Sequence, residues 1–104
     1  MIVVWDRRAN ENLEAHVDYI AEDNPLAAIE QRDMVRARIG SLVDFPDQGR
    51  RGRVTNTREL AVPGTPFVVI YRVKPRKGRV EILRVLHGAQ QWPSTPGAKR
   101  APRP

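Results

Sequence analysis

At 104 residues the chain has room for one domain and one modest core, which excludes a TIM barrel or a full dinucleotide-binding fold. A composition of 40% apolar and 29% charged residues is that of a globular chain, and the lack of cysteine removes disulfides, thiolate zinc sites and thiol nucleophiles. The net charge of +6 hides an asymmetry: residues 1–48 carry 5 basic and 10 acidic side chains, whereas residues 49–104 carry 13 and 2, a surface for nucleic acid or an acidic protein partner.

Ile2–Trp5 is a β-branched and aromatic run and reads as a strand. The opening Met1–Asp6 has neither the basic start nor the long apolar stretch of a signal peptide, and no apolar run approaches the roughly 20 residues of a membrane helix. Asp6 is a candidate N-cap, after which Ala9, Leu13, Val17 and Ile20 recur on one face and predict a helix over 7–23. Asn24-Pro25 breaks it, because the residue before proline avoids the helical region while proline suits a new first turn. A second helix is expected from Pro25 to about Asp44, with Ala28, Val35, Ile39 and Leu42 inward, Phe45 near its end and Pro46 as its stop. The pair forms an αα-hairpin.

The period then changes. Arg58–Val62, Phe67–Val73 and Arg79–Leu86 read as three strands, separated by the turn clusters Pro63-Gly64-Thr65-Pro66 and Lys74-Pro75-Arg76-Lys77-Gly78. The order strand, two helices, three strands predicts an α+β sandwich: an antiparallel sheet with the helical hairpin on one face and the other face partly bare. Ser94–Pro104 is Pro, Gly, Ala and basic residues, a composition that reads as a flexible tail on a folded body of 1–93.

Few residues point to chemistry. Arg50-Arg51-Gly52-Arg53 is a dense basic cluster expected in the loop after the second helix, where it grips phosphates or is simply solvated. There is no GxxxxGK[ST] motif for nucleoside triphosphates. Arg58, Arg72 and Arg84 fall on predicted strands and are expected to pave one cationic sheet face. His87, at the end of the last strand, is either a general base or an imidazole that closes the strand end. His16 reads as a surface residue of the first helix. Glu59 and Glu81, the two acids of the basic half, are expected to pair with arginines, and Trp92 either covers a core edge or forms a binding hot spot. Two histidines 71 positions apart do not make a zinc site, and neither a metal nor a cofactor is expected.

Phe45-Pro46, Gly49-Arg50 and Thr57-Arg58-Glu59-Leu60, followed by Val69-Ile70-Tyr71-Arg72-Val73 and Ile82-Leu83-Arg84-Val85-Leu86-His87-Gly88, resemble RelE/ParE-family toxins of bacterial type II toxin–antitoxin systems. The resemblance covers residues 2–93 and implies a β-α-α-β-β-β sandwich. It also implies growth arrest by a cytoplasmic toxin of a plasmid-stabilisation module. The partner would be a ParD-like antitoxin whose acidic or amphipathic segment wraps the toxin in a hetero-oligomer. RelE-like members cut messenger RNA on the ribosome, whereas ParE-like members block DNA gyrase. The nucleases resemble one another in a basic residue three positions before the tyrosine of the Val73 strand. Here that position is Val68, which can neither stabilise a scissile phosphate nor move a proton. The resemblance therefore implies the ParE-like branch, with gyrase as target and no catalytic residue. Under the alternative, a ribosome-dependent endoribonuclease, His87, Arg58 and Arg84 would carry the chemistry. Binding to antitoxin or target would fall to Arg50, Arg51, Arg53, Arg58, Arg72, Arg84, His87 and Trp92; a third reading retains antitoxin binding alone.

Deleting everything after Pro93 should leave the thermal midpoint nearly unchanged, while a deletion that also removes Trp92 should lower it, since an indole buries a large area. A scanning-fluorimetry comparison of the two truncations checks the boundary.

Overall fold

The computed structural model describes residues 1–88 and Trp92, so Ser94–Pro104 lies outside the described residues. Strand β1 (Ile2–Trp5) leads into α1 (Arg7–Asp23), which Asp6 caps by accepting a hydrogen bond from the Arg8 N–H at 2.8 Å. Asn24 ends α1 and at once caps α2 (Pro25–Gly40), its side chain accepting from Ala27 N–H at 3.0 Å with Pro25 in the first turn. The second helix is shorter than its apolar pattern suggests. After Gly40 the chain tightens into a 3-10 turn, Ser41–Val43, which still turns Leu42 inward but leaves Phe45 67% exposed.

The sheet contains β2 (Arg50–Arg51), β3 (Arg58–Ala61), β4 (Phe67–Lys74) and β5 (Arg79–His87) beside β1, in the order β1-β5-β4-β3-β2. The α+β sandwich is as expected, with one difference: the sheet is mixed, because β1 lies parallel to β5. The two hairpins β3–β4 and β4–β5 return β5 to the direction of β3, and the helical hairpin delivers β1 in that same sense. The basic cluster also differs from expectation. Arg50 and Arg51 form a short edge strand on β3 instead of a loop.

Alternation divides the sheet. Leu60, Val69, Tyr71, Val80, Ile82 and Val85 join Leu13, Val35, Ile39 and Leu42 in the core beneath the helices. Ile70, Arg72, Glu81 and Arg84 point the other way, as their cross-strand pairing requires.

Tyr71 fastens the core to the chain leaving α2. Fully buried, its hydroxyl donates to Pro46 O and accepts from the Gly49 N–H, both at 2.8 Å. Burial pushes this phenol above the usual tyrosine range. Gly49 is obligatory here because a Cβ would stand 2.7 Å from the Tyr71 ring and hydroxyl.

Tyr71→Phe leaves a carbonyl and an N–H without their partner and should cost about 1–3 kcal/mol. Gly49→Ala should destabilise comparably by steric conflict; urea denaturation of both variants gives the measurement.

Candidate functional site

The arginines singled out in the sequence do not share one face. Arg58 aligns with the core residue Tyr71, on the helix side of the sheet. Its guanidinium donates to Gly49 O at 2.7 Å and Asp47 O at 3.2 Å, and stands 3.5 Å from the Asp47 carboxylate. It secures the same loop that Tyr71 holds.

Arg72 and Arg84 do lie on the open face, but both are engaged. Arg72 Nε donates to Glu81 at 2.6 Å, and Arg79 Nε donates to the other carboxylate oxygen at 2.8 Å. Hydrogen bonding from Arg72 above all, joined by Arg79, holds the Glu81 carboxyl below its ordinary range. Arg84 is largely buried. It donates to Leu83 O at 2.6 Å, lies 4.0 Å from the Asp6 carboxylate and stacks 5.3 Å from the Trp92 ring centroid. Burial, with repulsion from Arg8, lowers its proton affinity.

Glu59 organises the cluster at the far edge. Its buried carboxylate accepts from Arg50 at 3.0 Å and from the Arg53 backbone N–H at 3.0 Å. Arg50, Arg51 and Arg53 remain exposed along this edge. Val68 stands on the open face opposite Leu86 and Ala61. The open face is thus apolar side chains among arginine–carboxylate pairs, where the sequence suggested a continuous sheet of positive charge.

His87 is exposed at the end of β5, its ring edge-on to Phe67 at 6.2 Å. His16 corrects its expected surface role. Beyond Ile82, β1 no longer covers β5, and α1 side chains take over that edge. Asn12 Oδ1 accepts from the Val85 N–H at 3.2 Å, while His16 Nε2–H donates to Val85 O at 2.9 Å. The imidazole stacks on Phe67 at 4.8 Å. The signal was present in the sequence: His16 is three residues past Leu13, on the flank of the apolar stripe, with Asn12 one turn before it.

Among the described residues no group of three or more His, Asp or Glu side chains could hold a metal ion, and no helix is long and apolar enough to cross a membrane.

Residues 3–92 match the family model described as the ParE toxin of the type II toxin–antitoxin system parDE. The chain belongs to the ParE toxin family. It is similar to "Putative toxin Y4kP" of Sinorhizobium fredii, with 37% identity across 86% of this chain and 90% of that one. It is also similar to "Toxin RelE2" of Caulobacter vibrioides, 36% identical over 85% of this chain and 96% of the relative. A solved structure titled "Chromosomal ParDE TA system from P. aeruginosa" superposes with a TM-score of 0.75 and 27% identity, covering 84% of this chain and 95% of the other.

Burial, more than the Val85 hydrogen bond or the nearby His87 charge, sets His16, and it depresses the imidazole below the ordinary value of about 6.5. The unfolded chain therefore binds the proton more readily. Stability should be fully present above pH about 6.5 and fall as pH drops toward the depressed folded value. His16→Gln, which keeps an N–H donor, should flatten that slope in urea midpoints measured between pH about 5 and 7. The lowered carboxyls of Asp6 and Glu81 act only at more acid pH.

Proposed function

We propose that this toxin arrests growth by binding DNA gyrase and trapping it with cleaved DNA, making and breaking no bond itself. A cognate antitoxin neutralises it within a plasmid-stabilisation module, an acidic or amphipathic segment ordering across the basic half of the toxin. The observation that carries the target assignment is Val68. It occupies the open-face position where the nuclease branch of the family has a basic residue, and its cross-strand neighbours Leu86 and Ala61 offer no substitute.

The arginines add support. Arg72 is committed to Glu81, and Arg84 to Leu83 O and the Trp92 ring, so neither guanidinium is poised for a developing phosphate charge. The printed names of two relatives favour the second reading, a ribosome-dependent endoribonuclease centred on His87 with Arg84 or Arg58 as phosphate stabiliser. In that reading His87 would act as the acid or base, from its exposed position at the end of β5.

Purified toxin assayed side by side should abolish gyrase supercoiling or accumulate cleaved DNA, and should leave messenger RNA intact on translating ribosomes. His87→Ala should inhibit gyrase as well as the parent does. Codon-specific ribosomal cuts that vanish in His87→Ala would instead establish the nuclease.

A further inference from the structure

One flank of α2 is left open where it faces the end of β3. Met34, Ala37, Arg38 and Ser41 from the helical side, with Val62 and Pro63 from the sheet side, line a shallow groove of about 380 Å³. The Met34 methyl lies so close to the turn after Pro63 that a Cβ on Gly64, itself at φ +82°, would collide with it. Yet Met34 stays 38% exposed, and Ala37 is exposed beside it. Phe45 continues the stripe one turn on: its N–H donates to Ser41 O at 3.0 Å, and its ring stands in solvent. Met34, Ala37, Ser41 and Phe45 recur at intervals of three and four, a helical face that nothing in the fold covers.

The groove wall holds an anomaly. Arg38 Nε is shut off from solvent and has no hydrogen-bond acceptor. Among the described residues no carboxylate pairs with Arg38, and nearby Asp47 is taken by Arg58. A dehydrated guanidinium N–H without an acceptor is unfavourable and rare in folded proteins. Its natural complement is a carboxylate, which guanidinium donors fit geometrically.

We infer that this groove receives an apolar, carboxylate-bearing segment of the antitoxin. An apolar side chain seats between Met34 and Pro63, and an Asp or Glu accepts from Arg38 Nε–H. The inference rests on the toxin–antitoxin reading given above. A nucleic-acid backbone fits poorly, because phosphates in series need a row of cations and the groove presents one among apolar groups. A second copy of this chain would bring its own net charge of +6 and set like charge against like.

The test uses the full chain and the purified antitoxin encoded beside the toxin gene. Met1 and Met34 are the two methionines, so methyl-labelled wild-type protein reports the groove directly. Antitoxin should shift or broaden the Met34 methyl signal. Arg38→Met and Ala37→Glu should each weaken binding by about tenfold or more, whereas Arg76→Met, an exposed cation in the β4–β5 turn, should change it by no more than about twofold. A silent Met34 signal on binding, or equal losses in Arg38→Met and Arg76→Met, overturns the groove and leaves the toxin–antitoxin reading standing. Failure of wild-type toxin to bind that antitoxin at all overturns the reading itself, and the proposal with it. A wild-type dimer that Ala37→Glu dissolves in sedimentation assigns the groove to a second copy and also overturns the proposal.

Discussion

A phenol at the centre of a sheet core has to place its hydroxyl somewhere. The answer given by Tyr71 shapes the whole second half of the fold. Its oxygen reaches the backbone at Pro46 and Gly49, so the chain leaving α2 cannot drift away from the sheet. Gly49 fixed there sets Arg50 opposite Glu59, which starts β2 and gives the buried carboxylate its guanidinium. Arg58 then closes the same loop from the next strand by donating to Gly49 O. Glycine without a Cβ, tyrosine with a hydroxyl and an arginine on the helix side form one interlocked unit. Changing any of them disturbs the others.

The count of charges and their arrangement say different things. Thirteen basic side chains in residues 49–104 suggest a broad cationic face. In three dimensions two acids disperse it: Glu81 draws in Arg72 and Arg79, and Glu59 draws in Arg50 and the Arg53 backbone. Exposed pairs of this kind contribute little to stability. Their effect is on register and on the surface a partner meets, which is more apolar than the composition implies. The cation nitrogen left without an acceptor, on Arg38, belongs to the acidic half.

Periodicity made the scaffold legible. The stripe from Ala9 to Ile20, the Asn24-Pro25 break and the β-branched runs placed both helices and the four longer strands, because each follows from a local rule about side-chain spacing or proline. What stayed hidden depended on partners remote in the chain. His16 looks polar on a helical wheel, and its need for Val85 O appears only once β1 is seen to stop short of the end of β5. Arg58 looks like one of three equivalent strand arginines until its register with Tyr71 sends it to the opposite face. β2 is too short to carry any alternation, and Phe45 reads as core although the 3-10 turn rotates it outward. The candidate site was half visible: residue types and strands were foreseeable, the salt-bridge pairing that occupies them only in outline.

The parallel seam between β1 and β5 joins the beginning of the chain to its end, Ile2 beside Arg79 and Trp5 beside Ile82. During synthesis the first strand emerges with no neighbour and waits for nearly all of the domain before it can pair. The helical hairpin, built from local contacts, can form much earlier. Until β5 arrives, β1 is an uncharged apolar edge and the core has no lid on that side. The folded surface of this protein is therefore a late product of translation. A nascent chain halted before its last strand would lack the finished shape that any partner must meet.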